Sequence, residues 1–246
     1  MSGHNKWSSI KDKKGKEDAK RGKIFTKIAR MISVAVREGG PDPDYNPSLK
    51  SAIEKAKAEN MPNDNIQRAI KKGSGEDSGA SYEKILYEGY GPEGVAVIVN
   101  CLTDNRNRTA ADIRHAFDKF GGNLGQNGSV IFMFDHKGVL TIDKNDKDEE
   151  EFMLEAIDAG AEDVQMEEDL FVVTTSMDDF AKVRDNLLEN GYEFHTADLF
   201  YLPQNEIAVE DPEAQKKLQK MIDMLEDNDD VQSVFHNWQN EDSENE

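Results

Sequence analysis

The sequence lacks the residue patterns on which most metal, nucleotide and hydrolase sites depend. Its five histidines stand apart without an HxxxH or HExxH pair, and CxxC, GxxxxGK[ST] and GxSxG do not occur. The acidic runs DKDEEE and EDNDD lack the spacing and the central glycine of an EF-hand, and such runs are typical of solvated loops. The sequence therefore predicts no enzyme activity, no catalytic or metal-binding residue and no cofactor.

Cysteine and long apolar runs are also scarce. The single cysteine, Cys101, excludes an internal disulfide, and its place in the apolar run VAVIVNCL predicts a buried, reduced thiol. No apolar run approaches the roughly 18–20 residues of a membrane span. Residues 1–23 are polar almost throughout, unlike a secretory signal peptide. We therefore expect a cytoplasmic protein that has no membrane partner.

Charge is distributed unevenly along the chain. The whole sequence has 30 Lys and Arg against 50 Asp and Glu, which gives a formal net charge of −20. Residues 1–72 nevertheless contain 17 basic and 9 acidic side chains, so this part is +8 and the remainder is −28. A basic part in an acidic protein predicts a polyanionic partner that contacts one part of the surface and is repelled by the rest.

Positive charge is densest in the opening stretch GHNKWSSIKDKKGKEDAKRGKIFTKIAR. Residues 1–30 hold ten Lys and Arg against three acids, and Trp7 among them has an indole ring that can stack on a base. The basic residues continue onto the first helix, on the side away from Ile24 and Ile28. A solvated charge run or a solubility tail is the alternative. The predicted nucleic-acid-binding residues here are Lys6, Trp7, Lys11, Lys13, Lys14, Lys16, Lys20, Arg21, Lys23, Lys27 and Arg30.

The stretch TDNRNRTAADI, residues 103–113, connects a predicted strand to a predicted helix. Thr109 is a suitable N-cap, which places Arg106 and Arg108 just before the helix, where cations are disfavoured by the helix dipole. Two arginines beside free helix N–H groups would form an anion site suited to phosphate. An intramolecular salt bridge is the equally weighted alternative. We include Arg106 and Arg108 among the predicted nucleic-acid-binding residues.

The glycine-rich stretch GGNLGQNGS, residues 121–129, contains GxxG twice. Glycines that end the preceding helix explain most of this pattern. Close approach of the backbone to a ligand is the alternative.

The pattern of hydrophobic residues predicts an α+β multidomain fold. Three short helices, one starting at Asn46-Pro47, precede a change to strand-like alternation. Residues 136–203 read βαββαβ, the order of a ferredoxin-like module. The strands VAVIVNCL, SVIFMF, EIAV and VQSVFHNW and two helices predict a second such module, split by insertion of the first. The predicted segments are a flexible basic arm (1–19), a helical domain (20–72), a linker (73–81), the split domain (82–135 plus 204–238), the inserted domain (136–203) and an acidic tail (239–246).

Three stretches of the sequence closely resemble the YebC/PmpR family. They are the opening GHNKWSSIKDKKGKEDAKRGKIFTKIARMI, then KAKAENMPNDNIQRAIKKGSG, and then YEGYGPEGVAVIVNCLTDNRNRTAADIRHAFDKFGGNLGQNGSVIFMF. The likeness runs from Ser2 to about Trp238. The resemblance implies a helical N-terminal domain and two α+β domains around a central cleft. It also implies regulation of gene expression through nucleic acid.

Two functions follow from this resemblance, and the residues leave both open. The family label implies a DNA-binding transcriptional regulator. Related proteins, including a mitochondrial translational activator of cytochrome oxidase, imply instead a ribosome-associated translation factor that binds ribosomal RNA and relieves stalling at proline runs. The short helix NDNIQRAIKKG offers little for reading base edges, and a lysine-rich arm suits phosphate binding. The acidic domains offer a surface for a protein partner, although solvated surface explains them too. No small-molecule substrate is indicated.

Overall fold

The computed structural model of the chain describes residues 18–75, 82–145 and 148–239, with the side chains of residues 18–20 outside the description. The predictions for the basic arm before residue 18, for residues 76–81 of the linker and for the acidic tail after residue 239 lie outside these ranges. The described residues form two compact units. The larger unit contains residues 18–131 and 209–236, and the smaller contains residues 132–208 and 237–239.

Seven α-helices and two four-stranded antiparallel sheets make up the regular structure of these described ranges. The helices are α1 (Asp18–Gly39), α2 (Pro47–Ala58), α3 (Asn63–Ser74), α4 (Arg106–Lys119), α5 (Glu149–Ala159), α6 (Phe180–Glu189) and α7 (Pro212–Glu226). The strands are β1 (Glu83–Tyr90), β2 (Ala96–Thr103), β3 (Asn123–Leu124), β4 (Phe134–Asp143), β5 (Asp163–Met166), β6 (Leu170–Thr175), β7 (Phe194–Pro203) and β8 (Val231–His236).

Helices α1 to α3 form the helical domain. The side chain of Asn46 accepts a hydrogen bond from the backbone N–H of Leu49 at 3.1 Å, so the predicted N-cap is confirmed. Close approach of α1 and α3 depends on Gly73, because a Cβ atom there would lie 2.6 Å from the backbone oxygen of Ser33. The predicted apolar faces meet in one core, whose buried members include Ile28, Ile32, Leu49, Ala52, Ala56 and Ile66.

The smaller unit has the βαββαβ order predicted for it. Its elements follow one another as β4-α5-β5-β6-α6-β7, and its sheet has the order β5-β6-β4-β7 with every neighbouring pair antiparallel. Both helices cover one face of this sheet, where Phe152 stacks on Phe171 with ring centroids 4.1 Å apart. The unit is therefore a ferredoxin-like module with a core of its own.

The sheet of the larger unit has the order β3-β1-β2-β8, and helices α4 and α7 pack against it. The two sheets have the same spatial order. In this comparison β2 corresponds to β4, the first strand of the smaller unit, β3 corresponds to its second strand, β5, and β8 to its fourth, β7. The position of the third strand, which β6 has in the smaller unit, is occupied here by β1.

The predicted strand EIAV is wrong, because within residues 206–209 only an isolated bridge from Ile207 to Trp238 forms. Strand β1 takes this position instead and is joined to β2 by a short turn. Pairing across a short turn costs less loop-closure entropy than pairing with a segment far along the chain.

The predicted strand SVIFMF is also wrong. Residues Ile131–Met133 form a 3-10 turn, and β4 begins at Phe134. The cause is the buried carboxylate of Glu88, since backbone donors that a side chain engages cannot also pair with a neighbouring strand. This carboxylate accepts hydrogen bonds from the N–H groups of Gly128 at 2.6 Å, Val130 at 2.8 Å and Ile131 at 2.8 Å.

The predicted fold class, an α+β multidomain protein with an N-terminal helical domain, is confirmed. The domain boundaries stay predictions. None of the helices in the described ranges is both long enough and apolar enough to cross a membrane.

Candidate nucleic-acid interface

The basic side of α1 faces the last residue of α7 and the segment that connects it to β8. We call this segment, residues 226–230 with the sequence EDNDD, the acidic loop. Lys23 forms a salt bridge of 3.0 Å with Asp227, and the Nζ of Lys27 donates to the backbone oxygen of Glu226 at 2.6 Å. Two lysines on this side of α1 therefore already contact residues of the acidic loop, and their assignment to nucleic-acid binding stays a prediction.

Arg30, the next cation along α1, is engaged more deeply. Its Nη1 lies 2.7 Å from Oδ1 of Asp230 and donates to the backbone oxygens of Leu102 at 2.7 Å and of Asp229 at 3.0 Å. The side chains of Arg30 and Asp230 are 13% and 4% exposed, so solvent screens this ion pair little. The contact joins α1 to the end of β2 and to the acidic loop.

Asp230 is the centre of a buried polar cluster. Its Oδ2 accepts hydrogen bonds from Arg108 Nη2 at 2.7 Å, from Thr109 Oγ1 at 2.7 Å and from Thr103 Oγ1 at 3.2 Å. Burial by itself raises the pKa of Asp230, but the hydrogen bonds from Arg108, Thr109 and Arg30 outweigh burial and leave this pKa below its ordinary value. Asp230 is therefore a charged carboxylate that ties α1, β2 and α4 together.

Lys27 shows the effect of the same surroundings on a cation. Burial lowers the pKa of Lys27, while the nearby carboxylates of Glu226 and Asp229 raise it and offset only part of the effect. Lys27 is therefore less accessible to solvent, and to a polyanion, than a lysine on an open surface.

The structure also changes the interpretation of Arg106 and Arg108. Asn105 is the N-cap of α4, and its side chain accepts from the backbone N–H of Arg108 at 3.1 Å. Both arginines therefore lie in the first turn of α4, and the N-cap predicted at Thr109 is wrong. The side chain of Arg108 pairs with Asp230 and with Asp104, so the salt-bridge alternative describes this arginine. Arg106 is largely exposed, with its guanidinium 4.0 Å from the carboxylate of Glu83.

The remaining predicted residues lie mostly beyond what the structure describes. Arg21 is exposed near the start of α1. The assignment of all these residues to nucleic-acid binding stays a prediction. The residues outside the description are Lys6, Trp7, Lys11, Lys13, Lys14 and Lys16, and the side chain of Lys20.

The helical domain also contains a cationic groove of about 470 Å³ between α1 and α3. Three cations line it and no carboxylate of the described residues does, although the chain as a whole is strongly acidic. We call this the α1–α3 groove; its lining residues are Phe25, Thr26, Ala29, Arg30, Ser33, Met61, Asn65, Arg68, Ala69, Lys72 and Tyr82.

Sequence reasoning included only Arg30 of these cations among the site residues. The i, i+4 spacing of Arg68 and Lys72 places both on one side of α3, and this was the available signal. Nothing in the sequence shows that Tyr82, which follows the linker, lies against α1. The structure shows it, because the guanidinium of Arg30 lies over the ring of Tyr82 at 5.1 Å from its centroid.

Potential metal ligands do not cluster in the part of the chain that the structure describes. No three His, Cys, Asp or Glu side chains there come together in a way that could hold a metal ion. Cys101 is a free, buried thiol, as predicted, and burial raises its pKa to about 12. A thiol with so high a pKa is a poor nucleophile.

Comparison with known proteins covers nearly the whole chain. Residues 5–76 match the family description "TACO1/YebC protein N-terminal domain", and residues 82–238 match "TACO1/YebC second and third domain". A "probable transcriptional regulatory protein" of Finegoldia magna is 68% identical, over 98% of this chain and 100% of that protein. A protein of the same name from Acetivibrio thermocellus is 55% identical over the same shares of the two chains.

A solved structure agrees with these matches. The crystal structure of a conserved hypothetical protein from Aquifex aeolicus is 46% identical and has a TM-score of 0.81, over 90% of this chain and 91% of that one. The predicted resemblance is thereby confirmed. The chain belongs to the TACO1/YebC family.

Proposed function

We propose that the chain is a nucleic-acid-binding regulator of gene expression and that it acts as a DNA-binding transcriptional regulator. Relatives that share more than half of its residues carry the name "probable transcriptional regulatory protein". Those relatives align with nearly the full length of the chain, so the name supports a regulatory role for the whole protein.

The observation that carries the proposal is the α1–α3 groove. Of the three cations that line it, Arg30 is paired with Asp230, whereas Arg68 and Lys72 form no ion pair with a carboxylate of the described residues. Positive charge that the groove itself does not neutralise attracts a polyanion, while the acidic remainder repels it and restricts contact to this part of the surface. The lysines of residues 1–16 supply further positive charge for a sugar-phosphate backbone.

A ribosome-associated translation factor that binds ribosomal RNA is the second candidate, and the geometry of α3 favours it. Ile66 and Ala69 of this short helix are buried, and Arg68 donates back to its own helix, to Asn65 Oδ1 at 2.6 Å. Few side chains of α3 are therefore left to read base edges in a major groove. Contacts to phosphate and to unpaired bases are the mode by which RNA is most often recognised.

The first experiment tests the basic arm. Wild-type protein and a variant in which Lys11, Lys13, Lys14 and Lys16 are changed to Glu are titrated into several unrelated duplexes and RNAs. We expect the variant to bind all of them more weakly, because phosphate contacts carry no sequence information. A loss confined to one duplex would support specific promoter recognition. Unchanged binding to every ligand would exclude the arm from the interface.

The second experiment separates the two candidate functions. The native protein is sedimented with ribosomes at moderate salt, and its affinity for genomic duplex fragments is measured in parallel. Cosedimentation without a preferred duplex would support the translation factor. Absence from the ribosomal fraction together with nanomolar binding to one duplex would support the transcriptional regulator.

A further inference from the structure

We propose that the α1–α3 groove binds an unpaired nucleotide of a single-stranded nucleic acid, with its base in the groove and its phosphates at the rim. This inference rests on the nucleic-acid binding that both candidate functions share, and it names the form of nucleic acid that the helical domain takes.

The size and the lining of the groove suit a base. Its volume of about 470 Å³ lies within the range of roughly 300–1,000 Å³ that is typical of small-molecule sites. Small side chains keep it open, since Ala29 and Ser33 of α1 and Ala69 of α3 line it where larger residues would fill it. Met61 and Ala69 are almost completely buried and form an apolar floor of the groove.

Two cations of α3 are available at the groove for phosphate. Arg68 and Lys72 are exposed, and neither forms an ion pair with a carboxylate of the described residues. Arg68 bonds to the backbone oxygen of Asp64 at 3.2 Å and to Asn65 at 2.6 Å, which orients the guanidinium and uses two of its five N–H donors. The remaining donors suit the paired oxygens of a phosphate group.

The aromatic side chains make the groove selective for an unpaired base. Phe25 and Tyr82 line it and are only partly buried. A base taken out of a helix can stack on such rings, whereas the bases of an intact duplex have both faces covered by their neighbours. Arg30 holds the ring of Tyr82 by a cation–π contact, and the carboxylate of Asp230 in turn fixes Arg30. The groove wall is thus positioned before a ligand arrives.

An acidic peptide is the competing ligand, because it would also be drawn to Arg68 and Lys72. It would use the charges of the groove and leave the aromatic rings without a role. The two ligands therefore differ in their dependence on Tyr82, and the experiment includes both.

Fluorescence anisotropy of the full chain tests the proposal. The labelled ligands are ten-nucleotide U and dT oligomers, a duplex of the same length and a glutamate decamer. We expect both single strands to bind more tightly than the duplex and the peptide. The affinities for the U and dT oligomers then show whether RNA or DNA fits better. Tighter binding of the glutamate decamer than of either single strand would overturn the proposal.

Matched variants locate the site. The double variant Arg68→Gln/Lys72→Gln should lower single-strand affinity at least tenfold. The control Lys57→Gln/Lys217→Gln removes the same charge from exposed positions outside the groove and should have a clearly smaller effect. Equal losses in the two double variants would overturn the groove as the site while leaving nucleic-acid binding intact. No binding of wild-type protein to any nucleic acid would instead overturn the proposed function.

Stacking is tested separately. Tyr82→Ala should lower single-strand affinity roughly five- to a hundredfold, and Tyr82→Phe should retain it, because stacking needs the ring and not the hydroxyl. Tyr45→Ala is the control, since Tyr45 is 85% exposed and lies outside the groove. Ultraviolet crosslinking of a 4-thiouridine oligomer to wild-type protein covers the case in which Tyr82→Ala does not fold. Crosslinks at Phe25 or Tyr82 support the proposal, and crosslinks confined to other segments overturn it.

Discussion

Arg30 in the first helix and Asp230 before the last strand form a buried ion pair, with Nη1 2.7 Å from Oδ1, although 200 residues separate them in sequence. The same arginine lies over Tyr82 in the wall of the α1–α3 groove. The ion pair therefore connects the groove to the polar cluster that holds α1 against β2 and α4. Substitution of Asp230 should consequently lower the free energy of unfolding and also change the position of Arg30 and Tyr82 in the groove wall.

Asp230→Asn is expected to destabilise the protein strongly. An asparagine cannot balance the charges of Arg30 and Arg108, and breaking a buried pair by removing one partner costs about 3–5 kcal/mol. The free energy of unfolding in urea measures this loss. Asp227→Asn is the matched control, because Asp227 lies in the same loop at 68% exposure and its pair with Lys23 should contribute no more than about 1 kcal/mol. Similar losses in both variants would contradict a special role for Asp230.

The pH dependence of stability follows from the same carboxylate. The pKa of Asp230 is lower in the folded protein than the value of about 3.9 for an unperturbed aspartate. Its contribution to stability is therefore fully present above about pH 4 and is lost as the pH falls through the lower folded-state pKa. We expect the difference in unfolding free energy between wild type and Asp230→Asn to be constant from pH 5 to 7 and to shrink towards pH 3. Parallel curves over the whole range would contradict this.

Glu88→Gln should destabilise the backbone of residues 128–131, at the end of the glycine-rich stretch. The Glu88 carboxylate accepts three backbone N–H groups, and an amide replaces one of its oxygens with a donor that repels them. The expected loss in unfolding free energy is about 1–3 kcal/mol. Faster hydrogen exchange at Gly128, Val130 and Ile131 should accompany it. Glu83→Gln, on the same strand but exposed, should change stability by less than about 0.5 kcal/mol.

Gly73→Ala should separate α1 from α3. The added Cβ atom would lie 2.6 Å from the backbone oxygen of Ser33, and such overpacking costs about 1–3 kcal/mol. Gly75→Ala is the control, because the nearest atoms to a Cβ atom there are 3.7 and 3.8 Å away. Thermal unfolding followed by circular dichroism compares the two. A melting temperature for Gly73→Ala no lower than that of Gly75→Ala would contradict the close packing.

The local features of the fold could be predicted from sequence because they depend on neighbours in the chain. Ile28, Leu49 and Ile66 are buried as helical spacing indicates, and the cap at Asn46 needs only residues three positions away. The βαββαβ order of the smaller unit follows from alternating periodicity in the same manner.

Features that depend on distant contacts could not be predicted. The basic side of α1 looks free in sequence, but the acidic loop that contacts it lies about 200 residues further on. SVIFMF has the composition of a strand, and only the fold brings Glu88 to its backbone. Arg68 and Lys72 gain their place in a groove from α1 and from Tyr82. The charge pattern thus identifies the domain, and tertiary contacts decide which of its cations are available.

The central claim, that the chain binds nucleic acid through uncompensated cations, is tested most directly by the salt dependence of binding. The affinity of the full chain for a 20-nucleotide strand is measured between 50 and 300 mM KCl. With five to eight phosphate contacts to a single strand, log K against log salt should fall with a slope of roughly −3.5 to −5.6. A slope near zero, or no binding at 50 mM KCl, would contradict the claim.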